Sequence, residues 1–366
     1  MSEAAIQRRI DNLGQRYYDG AIIPMRANAI DIHPYATWSK NGITVAGGNE
    51  AGIAIHQLYW PYGLYVDDDL TIYVVERGSH RISEWKSGAT NGTVVAGGNG
   101  ADRLKRPFYV IIDKESDSLI ISDTDNSRVI RWPRRKGTRG ETIISNIDCF
   151  GLTMDDNGFL YVVDSRKREV RRHKIGDTEG TVVAGGNGNG YRLDQLSIPR
   201  YVFVDREHSV YVTEYSNHRV AKWELGAKQG IAVAGGQGQE NSLTQLDGPQ
   251  GVVVDQLGTV YVTDYNNNRI MGWSKGATQG IVIAGKGYGA EPNQINWIVP
   301  VVYHSIGMVI SMSSTSEILE YKNLTLNKLN LGVGVGVFRM DFLRFKATYD
   351  AFRLLLRQSS SDKLRI

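Results

Sequence analysis

The phrase Tyr211-Val-Thr-Glu-Tyr-Ser-Asn-His-Arg-Val returns fifty residues later as Tyr261-Val-Thr-Asp-Tyr-Asn-Asn-Asn-Arg-Ile. Earlier copies begin at Tyr73 and Ile120. Arg81, Arg128, Arg219 and Arg269 share one slot, filled by Glu169 and Glu317 in two degenerate copies. Four residues on stand Trp85, Trp132, His173, Trp223, Trp273 and Tyr321. Val-Ala-Gly-Gly closes units at Val45, Val95, Val183 and Val233, and Ile283-Ala-Gly-Lys is a worn copy. Most intervals are 47 to 50 residues, and the third unit is about ten shorter. A period of this length, made of short runs rich in Val, Ile, Tyr and Thr between Gly, Asn and Asp turns, predicts one four-stranded propeller blade per unit.

The innermost strand follows a proline, as in Pro249-Gln-Gly-Val-Val-Val-Asp255, and is almost continuously apolar, as a strand buried on both faces should be. Inner strands beginning near Pro61, Pro107, Cys149, Pro199, Pro249 and Pro300 predict an all-β, six-bladed β-propeller. Residues 42–48 read as a fourth strand with no first strand before it, and the last unit lacks its fourth strand. Pairing the two closes the ring and removes two sheet edges. The expected organisation is a lead-in at 1–31 and a propeller at 32–330, with blades near 49–98, 99–146, 147–186, 187–236, 237–286 and 287–330. A basic amphipathic tail at 331–366 follows, with a helix along Phe338, Phe342, Phe345, Tyr349, Phe352 and Leu356.

The pattern Pro-x-Gly-Val-x-Val-Asp, then Tyr-Val-x-Asp-x-x-Asn-x-Arg-Val, resembles the NHL repeat over about residues 42–322. That resemblance implies a six-bladed propeller and, in most members, a scaffold for protein, peptide or RNA. One branch, an amidating lyase, is an enzyme that needs inner-strand histidines for a metal. Here the histidines do not converge, and only His304 ends an inner strand. No Gly-x-Ser-x-Gly, P-loop or dinucleotide fingerprint is present, so neither cofactor nor metal is expected.

The tail from 331 carries seven Lys or Arg against three Asp, a net +4, whereas the whole chain is +3, so the propeller with its lead-in is near −1. A near-neutral propeller is a poor generic nucleic-acid binder, because phosphate attraction supplies generic affinity. A local exception is a run of cations expected on the outer flank: Arg131, Arg134, Arg135 and Lys136, then Arg166, Lys167, Arg171 and Arg172. They make an RNA or other anionic partner the second reading, with a metal-dependent lyase or lactonase-like hydrolase in the channel as a third. The leading reading is a non-enzymatic scaffold for a protein, peptide or other ligand at the channel mouth. Its rim is expected from residues flanking the inner prolines: Trp60, Tyr62, Arg106, Phe108, Phe150, Arg200, Tyr201, Gln250 and Trp297.

Each repeat also places an acid five residues before its arginine: Glu76, Asp123, Glu214 and Asp264. A catalytic pair would not recur in every blade, so these pairs are expected to pin their own loops, with Asn126, Asn217 and Asn267 bonding their own backbone. Cys149 alone cannot form an intramolecular disulfide and reads as a small buried residue. No run of eighteen apolar residues is present, so no transmembrane segment is expected. The start lacks the apolar core of a signal peptide, which favours the cytoplasm.

Overall fold

A computed structural model describes residues 37–38, 43–47, 51–98, 103–135, 139–177, 179–285, 301–303, 308–312 and 318–325. Trp297, His304, Lys136 and the expected tail helix lie outside them.

The chain is an all-β propeller. Five complete four-stranded antiparallel blades are present, where the repeat count predicts six. In the fourth blade the strands run Pro199–Val204, Val210–Glu214, Arg219–Trp223 and Ile231–Gly235, from the axis outward. The fifth repeats them as Pro249–Val254, Val260–Asp264, Arg269–Trp273 and Ile281–Ala284. The first, second and third begin at Pro61, Val110 and Cys149. The remaining position holds a five-stranded sheet of another composition. Its Val301–Tyr303, Met308–Met312 and Ile318–Thr325 come from the last repeat, which supplies three strands, and Thr37–Trp38 and Ile43–Gly47 come from the opposite end of the chain. Ile43 faces Tyr321 and Gly47 faces Ile318. Val301–Tyr303 lies against the inner strands of both the fifth and the first blade.

The inner strands are buried along nearly their whole length, and the second strands entirely so in all blades but the third, where Phe159 is half-buried. The slot four residues after the arginine has a steric partner. Trp85, Trp223 and Trp273 lie over Gly92, Gly230 and Gly280, where a Cβ would come within 2.6, 2.9 and 2.8 Å of the indole. Cys149 is fully buried, its thiol donates to the Arg128 carbonyl, and burial raises its pKa.

The recurrent acid and arginine do more than pin their own loop. Arg269 Nε donates to Asp264 Oδ2 at 2.6 Å, and its other nitrogens donate to the carbonyls of Asn241, Ser242 and Gln245. Those carbonyls belong to residues 236–248, the crossover from the fourth blade to the fifth. Arg219 does the same through Glu214 and the carbonyls of Tyr191 and Arg192, and Arg81 through Glu76 and the carbonyl of Ile53. The loop asparagine joins the clamp instead of bonding its own backbone. Asn267 donates to Asp264 at 2.9 Å and to the Glu240 carbonyl at 3.0 Å. Irregular backbone carries carbonyls that must find donors, and in the first, fourth and fifth blades one arginine supplies them.

This explains the degenerate third repeat. Only residues 146–148 connect the second blade to the third, where 186–198 and 236–248 connect later ones. With no long crossover to hold, the slot carries Glu169, which pairs with Arg171 of its own strand at 2.6 Å. Arg128 keeps Asp123 at 2.7 Å and, among the described residues, also donates to Thr142, while Asn126 of the same loop donates to the Arg103 carbonyl in the crossover from the first blade.

Two expectations follow. Arg269→Ala strands buried Asp264 and several crossover carbonyls at once, so it should cost about 3 kcal/mol, as for removing one partner of a buried pair. Arg171→Ala, which removes a partner from one carboxylate and one carbonyl of its own blade, should cost clearly less, and equal losses in urea unfolding would show that the crossover carbonyls contribute nothing. His173 replaces the tryptophan over Gly180, and neither ring nitrogen finds a partner. Burial, aided by Arg171, lowers its pKa. The unfolded chain therefore binds the proton more readily, so stability is full above the unfolded value near 6.5 and falls as pH drops towards the folded value. Melting of wild type should fall between about pH 7.5 and pH 5 by more than that of His173→Phe; parallel curves would contradict this.

Candidate ligand site at the channel mouth

In the first, third, fourth and fifth blades the pairing of the first two strands slips one step after its first residue, at Pro61/Gly63, Cys149/Leu152, Pro199/Tyr201 and Pro249/Val252. Such bulges re-aim a side chain. The displaced residues are Tyr62, Phe150, Arg200 and Gln250, and Phe108 holds the same slot in the second blade. Hydroxyls from neighbouring blades fix the bulged backbone: Ser122 donates to the Phe150 carbonyl and Thr213 to the Gln250 carbonyl.

The result is a continuous cluster. Tyr62 and Phe108 have ring centroids 4.6 Å apart, and Phe108 meets Phe150 edge-on at 4.5 Å. The Arg200 guanidinium lies over Phe150 at 4.7 Å and Tyr215 at 5.5 Å, and Arg77 lies 5.5 Å from the Tyr62 ring. Gln250 bonds the Tyr62 phenol, and Tyr265 is in electrostatic reach of Tyr62, Tyr215 and Arg200. Burial raises the Tyr62 and Tyr265 phenols and lowers Arg200. Asp148 is also raised by burial, against the pull of Arg166, Arg168 and Arg200. Tyr109 and Tyr201, from the next position of their strands, meet edge-on at 4.8 Å inside the ring and join hydroxyl to hydroxyl. Both are buried, so Tyr201 fills the ring interior and Phe108 packs under the cluster. Trp60 and Arg106 stand outside it. Each adopts a left-handed backbone before its proline, Trp60 stacks on Tyr59, and Arg106 faces Asp125 at 3.8 Å.

Arg77, Tyr215 and Tyr265 belong to the mouth but not to the rim read from the prolines. They share the slot just after the repeated acid, with Thr124 and Ser165 in the other blades. Variation at that slot inside a constant phrase is the signal that would have found them.

The seven flank cations among the described residues do not form one surface. Arg131 pairs with Glu141 at 2.6 Å. Arg134 pairs with Asp67 of the first blade at 2.6 Å, touches Asp117 at 3.3 Å and bonds the Tyr73 phenol at 2.8 Å. Arg135 shares Asp117 at 3.2 Å while 83% exposed. Arg171 pairs with Glu169 and the Gly180 carbonyl, and Arg172 lies over Phe159 at 4.9 Å. Arg166 and Lys167 are exposed on the loop after Asp164, at the mouth end of the third blade, away from Arg134 and Arg135. A groove on the outer edge of the second blade is lined by Arg128, Arg131 and Arg139, and the first two are committed to acids of their own blade. Among the described residues no three His, Cys, Asp or Glu side chains could jointly hold a metal ion, and no helix is long and apolar enough to cross a membrane.

The NHL repeat model matches residues 246–272, the first three strands of the fifth blade. A comparison with curated proteins finds no match. Among solved structures, the fold is similar to a Bacteroides thetaiotaomicron protein of unknown function (14% identity, 78% of this chain and 76% of that one, TM-score 0.62). It is also similar to an auxiliary nutrient binding protein of the same organism (13%, 82% and 75%, 0.58). A third is XC5397, a gluconolactonase of Xanthomonas campestris (11%, 80% and 99%, 0.55). At such identities the likeness is one of fold.

Arg134 joins the second blade to the first, so Arg134→Ala should lower stability by about 2 kcal/mol, whereas exposed Arg135→Ala should stay within about 0.5 kcal/mol. Equal, negligible effects in thermal unfolding would show that Arg134 is not structural.

Proposed function

We propose that this β-propeller, which carries an NHL repeat in its fifth blade, is a non-enzymatic binding protein that seats a peptide or peptide-like ligand at the mouth of its channel. Similar folds include both a nutrient-binding protein and a gluconolactonase, so the fold does not choose between binding and catalysis. The site supports binding. One observation carries the reading: the bulged slot of successive blades sets Tyr62, Phe108, Phe150 and Arg200 in one contiguous aromatic and cationic shelf. Aromatic and arginine side chains supply most of the energy where proteins recognise ligands. The described mouth residues include no histidine, the usual proton shuttle of catalysis. Paired as most of them are, the flank cations give an RNA reading less support than free ones would.

The test is selection of binders from a random peptide library, followed by affinities for variants. Tyr62→Ala or Phe150→Ala should weaken selected peptides by about thirtyfold, the scale of a 2 kcal/mol anchor. Joint Arg135→Ala and Arg172→Ala should leave them unchanged. Losses confined to the flank variant, with a shallower dependence of log affinity on log salt, would move the site to the flank.

A further inference from the structure

We infer that the mouth recognises an oxyanion, a carboxylate or a phosphate, held by the guanidinium groups of Arg77 and Arg200. This rests on the reading of the mouth as a ligand site and adds the chemistry of what it takes.

The two arginines differ from those of the repeated slot and from Arg134. Arg81, Arg128, Arg134, Arg219 and Arg269 each pair with a carboxylate. Arg77 and Arg200 are half-buried, and the Nε of each is shielded from solvent with no hydrogen-bond partner among the described residues. Neither forms an ion pair among the described residues. Rings take the place of acids: Phe150 and Tyr215 beside Arg200, Tyr62 beside Arg77. Asp148 is close enough to feel Arg200 but does not pair with it, and Arg77 raises the cost of the charge on Arg200.

A desolvated cation without a partner is expensive, and two that repel one another are more so. The groups in electrostatic reach of Arg200 include the neutral phenols of Tyr62, Tyr215 and Tyr265, which carry no full negative charge to offset the guanidinium. What such a set lacks is an anion with several lone pairs. The Nε edge of arginine is one of the edges that meets carboxylate or phosphate oxygens two at a time. The half-buried rings of Tyr62 and Phe150, with Phe108 packed beneath them, then offer a surface for an apolar body attached to the anion. Two other buried orphan sites do not compete. His173 is packed over Gly180, and Arg206 has further contacts of its own.

The experiment uses the whole chain with 15N-labelled arginine and follows the Nε–H signals, assigned from Arg77→Met and Arg200→Met, while benzoate, phenyl phosphate or neutral benzyl alcohol is added at constant ionic strength. Met keeps the apolar stem that packs on the rings. Benzoate, phenyl phosphate or both should shift the two signals and bind each Met variant at least about tenfold more weakly, as expected for a lost charge-assisted bond. The tighter of the two probes identifies the anion. Without ligand, Arg200→Met should melt no lower than wild type, because it removes a charge with no partner. Benzyl alcohol binding as well as benzoate, retained by both Met variants and lost in Phe150→Ala, would overturn the oxyanion and leave the mouth as a ligand site. Failure of all three probes to reach the mouth, or a lower melting point for Arg200→Met, would overturn the inference itself.

Discussion

The clamp formed by one buried carboxylate, one arginine and the carbonyls of a crossover is what the rest of this propeller depends on. Each blade must hand the chain to the next through a segment with no ladder of its own. In the first, fourth and fifth blades the arginine of the third strand reaches that segment while anchored on the acid five residues earlier. Burial raises Glu214 and Asp264 even with their arginines in place, which shows how far these acids are from water. Their value is therefore less the attraction of two charges than the donors the arginine distributes to otherwise unsatisfied backbone.

The clamp also explains which parts of the fold were legible. The period, the four strands and the ring as a whole could be read from Val-Ala-Gly-Gly, the inner prolines and the Tyr-Val-Thr phrase, because these slots answer to the same backbone geometry in blade after blade. The substitution of Glu169 could be seen but not understood without knowing that 146–148 makes a direct passage between blades. The count of complete blades differed because the last repeat supplies three strands and the remaining strands of its sheet come from the opposite end of the chain. Of those strands Ile43–Gly47 was marked by its Val-Ala-Gly-Gly and pairs with Ile318–Tyr321 as that mark implied, whereas Thr37–Trp38 carries no repeat signal.

The mouth was half legible, for the reverse reason. The proposed site lies where the repeat is broken. Tyr62, Phe108, Phe150, Arg200 and Gln250 stand next to recognisable prolines or their substitutes and could be located, but nothing linear showed that a bulge turns them inward. Arg77, Tyr215 and Tyr265 were concealed inside the most regular phrase of the chain, one position after the acid. On the flank a run of like charges reads as a patch in the sequence, and in the structure Arg131, Arg134 and Arg171 each meet an acid, Asp67 from another blade among them.

A crystal structure of the protein grown with 4-iodobenzoate, read for the anomalous signal of iodine, tests the central claim most directly: that regularity serves the fold and the irregular slots form a site for an acid. The account predicts iodine over the shelf of Tyr62, Phe108 and Phe150, with the carboxylate between Arg77 and Arg200. Iodine elsewhere, with Arg77 and Arg200 paired to carboxylates of the chain itself, would contradict it.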